Sequence, residues 1–119
     1  MTINQRVHED ILIFDVTGDI SIHHSPKLSQ DIIQKMSPDK NKVIVNLKEA
    51  SYIDSSGIGS LIRILTTLKD LGGTLKLIHI SGQILEAFTL TRLINLFQIY
   101  NDEKTAIDSF LEIKNKQNI

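Results

Sequence analysis

The stretch Asp54-Ser55-Ser56-Gly57-Ile58-Gly59 places two hydroxyls between a carboxylate and two glycines, just after an apolar strand pattern that ends at Leu47 and a short acidic turn. Beyond it Ile58, Leu61, Ile62, Leu65 and Leu68 recur at three- and four-residue spacing, so a helix is expected from near Ser56 to Leu71. Free backbone N–H groups and the positive end of the helix dipole make that N-terminus a good seat for an anion, including a phosphate esterified to a serine. Aspartate and serine before a helix are also ordinary caps, and glycine there eases a tight turn. Two glycines in a first turn nevertheless cost on the order of 1 kcal/mol each relative to alanine, a cost that capping alone does not require. Close approach is the remaining reason, either of the helix to a sheet or of a partner to the serines.

Other chemistries find less support. Ser60 is not a hydrolase nucleophile of the elbow type, because Ile58 and Ile62 stand where that motif needs glycines. Gly57-Ile58-Gly59 lacks the third glycine of a dinucleotide fingerprint, and no Gly-Lys-Ser or Gly-Lys-Thr phosphate loop occurs. His23 and His24 are adjacent, which points their rings apart, and no nearby ligand set completes a metal site, so a solvated loop pair is expected. His79 reads as a packing residue in a strand. Asp31, Lys35, Asp39, Lys40 and Lys42 mix signs around one helix end and read as solvated surface, while Phe14, Phe88, Phe97 and Phe110 are expected in the core.

These residues need a scaffold, and the patterning supplies one. Ile11 to Thr17 is nearly continuous apolar and reads as a strand buried on both faces, with residues 3 to 8 as a possible edge strand beside it. Ser25-Pro26 is a helix start, with the serine as cap and Leu28, Ile32 and Ile33 on the inner face. Val43 to Leu47 and Thr74 to Ile80 read as further core strands, Gly72-Gly73 as a left-handed helix stop, and Leu96 to Tyr100 as a last short strand. Ser81 and Asp102 can cap two more helices. Strands alternating with helices imply an α/β fold with a mixed, mostly parallel sheet of four to five strands and about four helices. Functional loops in such sheets lie at the carboxyl ends of the strands, here at 18 to 24, 48 to 56 and 80 to 82.

The chain has 119 residues, which fits a single domain with its core over about residues 5 to 112 and a frayed tail over 113 to 119. Thirteen basic and 14 acidic residues leave a net charge of −1, so no global field draws it to nucleic acid or to an anionic membrane. The absence of cysteine suits a reducing cytoplasm. The N-terminus lacks the apolar core of a signal peptide, and no apolar run approaches the ~18 residues that span a bilayer, so a soluble, cytoplasmic protein is expected.

With Gly18-Asp19-Ile20, Asn46-Leu47, Tyr52-Ile53-Asp54-Ser55-Ser56-Gly57-Ile58-Gly59 and Gly72-Gly73-Thr74-Leu75, the chain resembles the STAS domain of bacterial anti-sigma factor antagonists, from about residue 5 to 112. The resemblance implies a partner-switching domain with no catalytic activity and no cofactor. Such proteins bind an anti-sigma factor that is also a serine kinase, of the histidine-kinase-like ATPase class, and so release the sigma factor; phosphorylation of a serine ends the complex and a serine/threonine phosphatase restores it. Carried onto this sequence, the phosphorylated residue is Ser55, with Ser56 as second choice. Asp54 orients the acceptor or repels a phosphate already present, and Asp19, Ile20, Ser21, His23, Asp54, Ser56, Gly57, Ile58, Gly59 and Arg63 form the partner-binding face. Two positions depart from the family pattern: Ser21 replaces a usual aspartate, and Arg92-Leu93 stands where glycine followed by leucine is common. Two other readings compete. Similar domains serve as scaffolds or switches in circuits unrelated to transcription. A phospho-aspartate receiver could use Asp54, but only Asp19 follows Gly18 where a receiver has an acidic pair for magnesium, and its late lysine is missing.

Overall fold

The computed structural model describes the backbone of residues 1–117 and the side chains of residues 1–111. The apolar run beginning at Ile11 forms the start of the longest strand, β2 (Ile11–Ile20), which pairs antiparallel with β1 (Thr2–His8). On its other side, the first half of β2 pairs in parallel with β3 (Lys42–Asn46). Its last residues, beyond a register shift at Gly18 and Asp19, pair in parallel with β4 (Ala50–Ile53). β5 (Thr74–Ile78) and β6 (Gln98–Tyr100) continue the parallel part, giving the order β1-β2-β3-β5-β6 with β4 beside the end of β2. The helices are α1 (Ser25–Ile33), α2 (Ser55–Asp70), α3 (Gly82–Leu90) and α4 (Glu103–Gln117), with a 3-10 turn at Ile94–Leu96. Among the described residues no helix is long and apolar enough to cross a membrane.

The period-two alternation of the strands sorts the core into two faces. Leu12, Phe14 and Val16 of β2, with Val43 and Val45 of β3 and Leu75 and Leu77 of β5, bury one face under α1, α2 and α3. Ile11, Ile13, Ile44 and Ile78 bury the other under α4, against Ala106, Ile107 and Phe110. Full burial of such side chains is worth about 1.5–3 kcal/mol each, which is what presses the helices onto the sheet. Lys76 is also fully buried on the α4 face, donating to Ser109 Oγ with its ammonium 4.2 Å from the centre of the Phe110 ring. At the sheet's edge, Arg6 of β1 bonds Asp15 of β2 (Nε to Oδ2, 2.6 Å) and Glu103 of α4 (Nη2 to Oε1, 2.6 Å). Asn46 adds a 2.8 Å bond to Asp15.

The expected fold class holds, and several details differ. The sheet gains β4, expected as a turn: Ala50, Ser51 and Tyr52 are half-buried or exposed and only Ile53 is buried, so no apolar alternation marks it. Ser25 does not cap α1. The helix starts at Ser25 itself, with His24 in the cap position and Pro26 second; the His24 side chain makes no cap bond, and Ser25 N–H donates instead to the Ser21 carbonyl at 2.8 Å. His79 lies beyond β5, not in it, with φ of 60°. The segment from residue 113, expected to fray, is helical through Gln117, and the rest of it lies outside the described residues. Gly72, with φ of 73°, and the 2.7 Å bond from Gly73 N–H to the Leu68 carbonyl end α2 as expected. Asp102 caps α4 through Thr105 N–H at 2.8 Å.

Two stability predictions follow from named contacts. Arg92 holds φ of 60° just after α3, where Leu93 N–H closes on the Phe88 carbonyl at 3.2 Å, so a side-chain-bearing residue occupies the left-handed position that glycine fills without strain. Arg92→Gly is expected to raise the unfolding free energy by about 1 kcal/mol, read from denaturant midpoints. The Arg6 bond, then that of Asn46, lowers the Asp15 pKa from 3.8 to about 2. A depressed carboxylate contributes stability that is present above 3.8 and lost as pH falls toward about 2. Asp15→Asn should therefore flatten the acid limb of a pH–stability curve; an unchanged limb would show that the Arg6 pair contributes nothing there.

Candidate functional site

β2 and β4 end side by side at Ile20 and Ile53, and the chain turns from β4 directly into α2. Asp54, in extended conformation, is the cap of that helix. Its Oδ1 accepts from Gly57 N–H at 3.0 Å and from Ser56 Oγ at 2.5 Å, and its Oδ2 accepts from Ile22 N–H at 3.3 Å. One carboxylate thus ties the 18–24 loop to the first turn of α2. The Ser56 hydroxyl, followed by the Gly57 and Ile22 N–H groups, holds the Asp54 carboxyl below the usual carboxylate range. Of the aspartate and serines that the sequence offered as caps, Asp54 is the one that caps α2. Ser55 is the first helical residue, is exposed, and its hydroxyl makes no hydrogen bond among the described residues.

The two glycines separate cleanly. A Cβ on Gly57 would lie 2.4 Å from the Ile20 carbonyl oxygen and 2.6 Å from Ile53 Cγ1, so this glycine exists to let α2 meet the strand ends. A Cβ on Gly59 would meet nothing within 4 Å, and the residue is exposed. Packing explains the first and not the second.

Of the residues expected on the partner-binding face, His23, Gly59 and Arg63 are exposed on this edge beside Ser55, the expected phosphorylation site, and Ser56 and Asp54 are half-buried in it. Asp19 and Ser21 are half-buried, with Asp19 Oδ1 and Ser21 Oγ enclosed and without hydrogen-bond partners among the described residues. Ile20, Gly57 and Ile58 must be corrected. Ile20 and Ile58 are 0% exposed and sit in the main core, and Gly57 is buried against both strand ends, so none offers a side-chain surface. Sequence reasoning missed three residues that shape the edge. Ile22 is 66% exposed and Tyr52 43%, two apolar surfaces on the segments that flank Asp54. The apolar Ile22 in an otherwise polar loop was the available signal. Gln83 of α3 bonds both backbone groups of Ile53, at 2.9 and 2.8 Å, acting as a further strand partner for β4. Among the described residues no group of histidine, aspartate and glutamate could hold a metal ion. The arrangement offers an unencumbered hydroxyl beside an ionised carboxylate, on an edge with apolar and cationic contacts.

The glycine distinction is testable. Gly57→Ala is expected to destabilise the chain by about 1–3 kcal/mol through overpacking. Gly59→Ala should stabilise it, by on the order of 0.5–1 kcal/mol from helix propensity. Urea unfolding of both variants decides, and equal losses would show that Gly59 is a packing residue after all.

The STAS domain family model matches residues 2–106. The anti-sigma-B factor antagonist of Bacillus subtilis (strain 168) is 24% identical over 99 residues, covering 83% of this chain and 90% of that protein. The crystal structure of an anti-sigma factor antagonist from Mycobacterium paratuberculosis superposes with a TM-score of 0.78 at 20% identity, covering 91% of this chain and 92% of that one. The Bacillus cell fate determinant SpoIIAA in its phosphorylated form gives 0.63 at 22% identity, over 92% and 99% of the two chains. At these identities the structures establish shared fold. Because the family match spans nearly the whole sheet and all of the serine edge, the chain belongs to the STAS domain family.

Proposed function

We propose that this chain is a phosphorylation-controlled partner switch without catalytic activity. Its unphosphorylated form binds an anti-sigma factor that is also a serine kinase, of the histidine-kinase-like ATPase class, and so frees a sigma factor in the cytoplasm. Phosphorylation of Ser55 ends the complex, and a serine/threonine phosphatase restores it. The observation that carries this reading is the exposed Ser55 hydroxyl at the first position of α2, free of hydrogen bonds among the described residues and next in sequence to the Asp54 cap. The names of the antagonist relatives and the phosphorylated state of SpoIIAA support it.

The physics of such a switch is consistent. A phosphoserine adds about −1.5 to −2 charges, and at a helix N-terminus that charge is compatible with the fold. In an interface beside ionised Asp54 the same charge meets repulsion and desolvation, and like-charge juxtaposition there costs several kcal/mol. Since about 1.4 kcal/mol is a factor of ten in affinity, this suffices to dissociate a micromolar complex. Ile22, Tyr52 and Arg63 supply apolar and cationic contacts of the kind interfaces use as anchors.

Ser55→Ala should bind the kinase without being released by ATP, and Ser55→Asp should bind poorly. Intact-protein mass spectrometry of the alanine variant after incubation with kinase and ATP is the check, and an unchanged rate of phosphate incorporation would sink the assignment. The free and phosphorylated forms should melt at nearly equal temperatures, because the charge acts on binding rather than on the core.

A further inference from the structure

β1 is an edge of the sheet: it pairs with β2 along its whole length, and among the described residues no strand lies on its outer side. An open edge presents a row of unpaired N–H and C=O groups, and natural proteins guard such rows with short strands, lysine, proline or bulges. The opposite edge, β6, is guarded by its length of three residues. β1 carries none of these guards. Its seven residues, Thr2-Ile3-Asn4-Gln5-Arg6-Val7-His8, include no lysine, proline or glycine and keep an unbroken register with β2. Their one permanent charge, Arg6, is turned to Asp15 and Glu103 and neutralised there.

Alternation sorts the side chains of the strand by face. Ile3, Gln5 and Val7 stand opposite Val16, Phe14 and Leu12, on the face under α1, α2 and α3. Ile3 is half-buried against that core and Gln5 is exposed. Val7 is 61% exposed, although its neighbour Leu12 is buried. Asn4, Arg6 and His8 lie on the α4 face, opposite Asp15, Ile13 and Ile11. The strand therefore leaves one apolar side chain open near its end and a second half-covered near its start, on the same face.

We propose that β1 is the interface of a symmetric homodimer, two copies pairing antiparallel, edge to edge, about a twofold axis through Gln5. A twofold axis perpendicular to a continuous sheet keeps each face on its own side, so paired residues must share a face and their numbers must sum to an even value. Centring the axis on Gln5 pairs the whole strand: Thr2 with His8, Ile3 with Val7, Asn4 with Arg6, and Gln5 with its own copy. The exposed Val7 of each chain then lies against Ile3 of the other, in the directly opposed position where cross-strand pairs stabilise a sheet. Moving the axis to Arg6 sets two guanidiniums opposite each other, a like-charge pair that destabilises a sheet. Moving it to Asn4 carries Val7 past the end of the second copy's strand. One register is thus self-complementary, and a second copy of this chain is the occupant that matches it. None of the seven residues belongs to the serine edge, so the proposal stands apart from the partner-switch reading and its test involves no other protein.

The test is sedimentation of the full chain over a concentration series up to about 1 mM, the weak end of the affinity scale. The mass is expected to rise with concentration from 13.4 kDa toward twice that value. Gln5→Lys, which sets two ammonium groups opposite each other on the axis, and Val7→Lys, which replaces the apolar contact, should each raise the dissociation constant about tenfold or more. Both positions are exposed, so both variants should keep the circular dichroism spectrum of the parent chain. Cysteine, of which the chain has none, reads the register independently. Directly opposed Cα atoms in an antiparallel pair lie about 4.5–5.5 Å apart, within the ~4.4–6.8 Å that disulfides span, so Gln5→Cys should oxidise to a covalent dimer. Val7→Cys should not, because the two copies of residue 7 lie four residues apart along the strands, roughly 13 Å. A chain that stays monomeric throughout the series leaves the edge to solvent or to a strand of another protein, and overturns the proposal. So does a dimer that both lysine variants leave intact and Gln5→Cys fails to cross-link, because it is built on another face.

Discussion

The first turn of α2 lies so close to the end of β2 that residue 57 has no room for a side chain. That approach, 2.4 Å from a would-be Cβ to the Ile20 carbonyl oxygen, sets the geometry of the serine edge. It brings the cap of α2 beside the 18–24 loop, so that the Asp54 carboxylate reaches Ile22 N–H as well as its own helix. It also turns Ile58 into the core, while Ser55, at the very start of the helix, stays on the surface. The exposed hydroxyl thus stands at the open end of a turn that is itself packed tightly on the sheet.

Much of the scaffold is legible in the sequence where one physical effect dominates. The branched apolar runs at 11–17 and 43–47 announce β2 and β3, and the Gly72-Gly73 pair announces the end of α2. β4 is not legible, because it exposes two of its four residues and is held by β2 on one side and by the Gln83 amide on the other. Neither contact leaves a local pattern. The Ser25-Pro26 pair is read correctly as a helix start and wrongly as a cap: the proline sits at the second helical position, which moves the serine inside the helix and frees its hydroxyl.

The serine edge is legible in its residue types and only partly in their roles. Two glycines in one turn signal close approach, but only coordinates separate Gly57, which meets the sheet, from Gly59, which meets nothing. The apolar members of the motif, Ile20 and Ile58, look like docking residues because they adjoin the serines in sequence; a strand end and a helix interior both point such side chains into the core. Ile22 and Tyr52 do the reverse. They are apolar residues on polar segments, and their exposure depends on how two loops meet, which no local pattern encodes.

The two faces of the sheet are covered unequally, three helices on one and α4 on the other. Lys76 lies under that single helix, its amine enclosed by Ser109 and the Phe110 ring. Reagents that acylate lysine amines would label the surface of the folded chain and pass over this position until the helix lifts. Acylation of Lys76 thereby becomes an internal reporter of whether the last helix is seated, readable by peptide mapping and independent of any event at the serine edge.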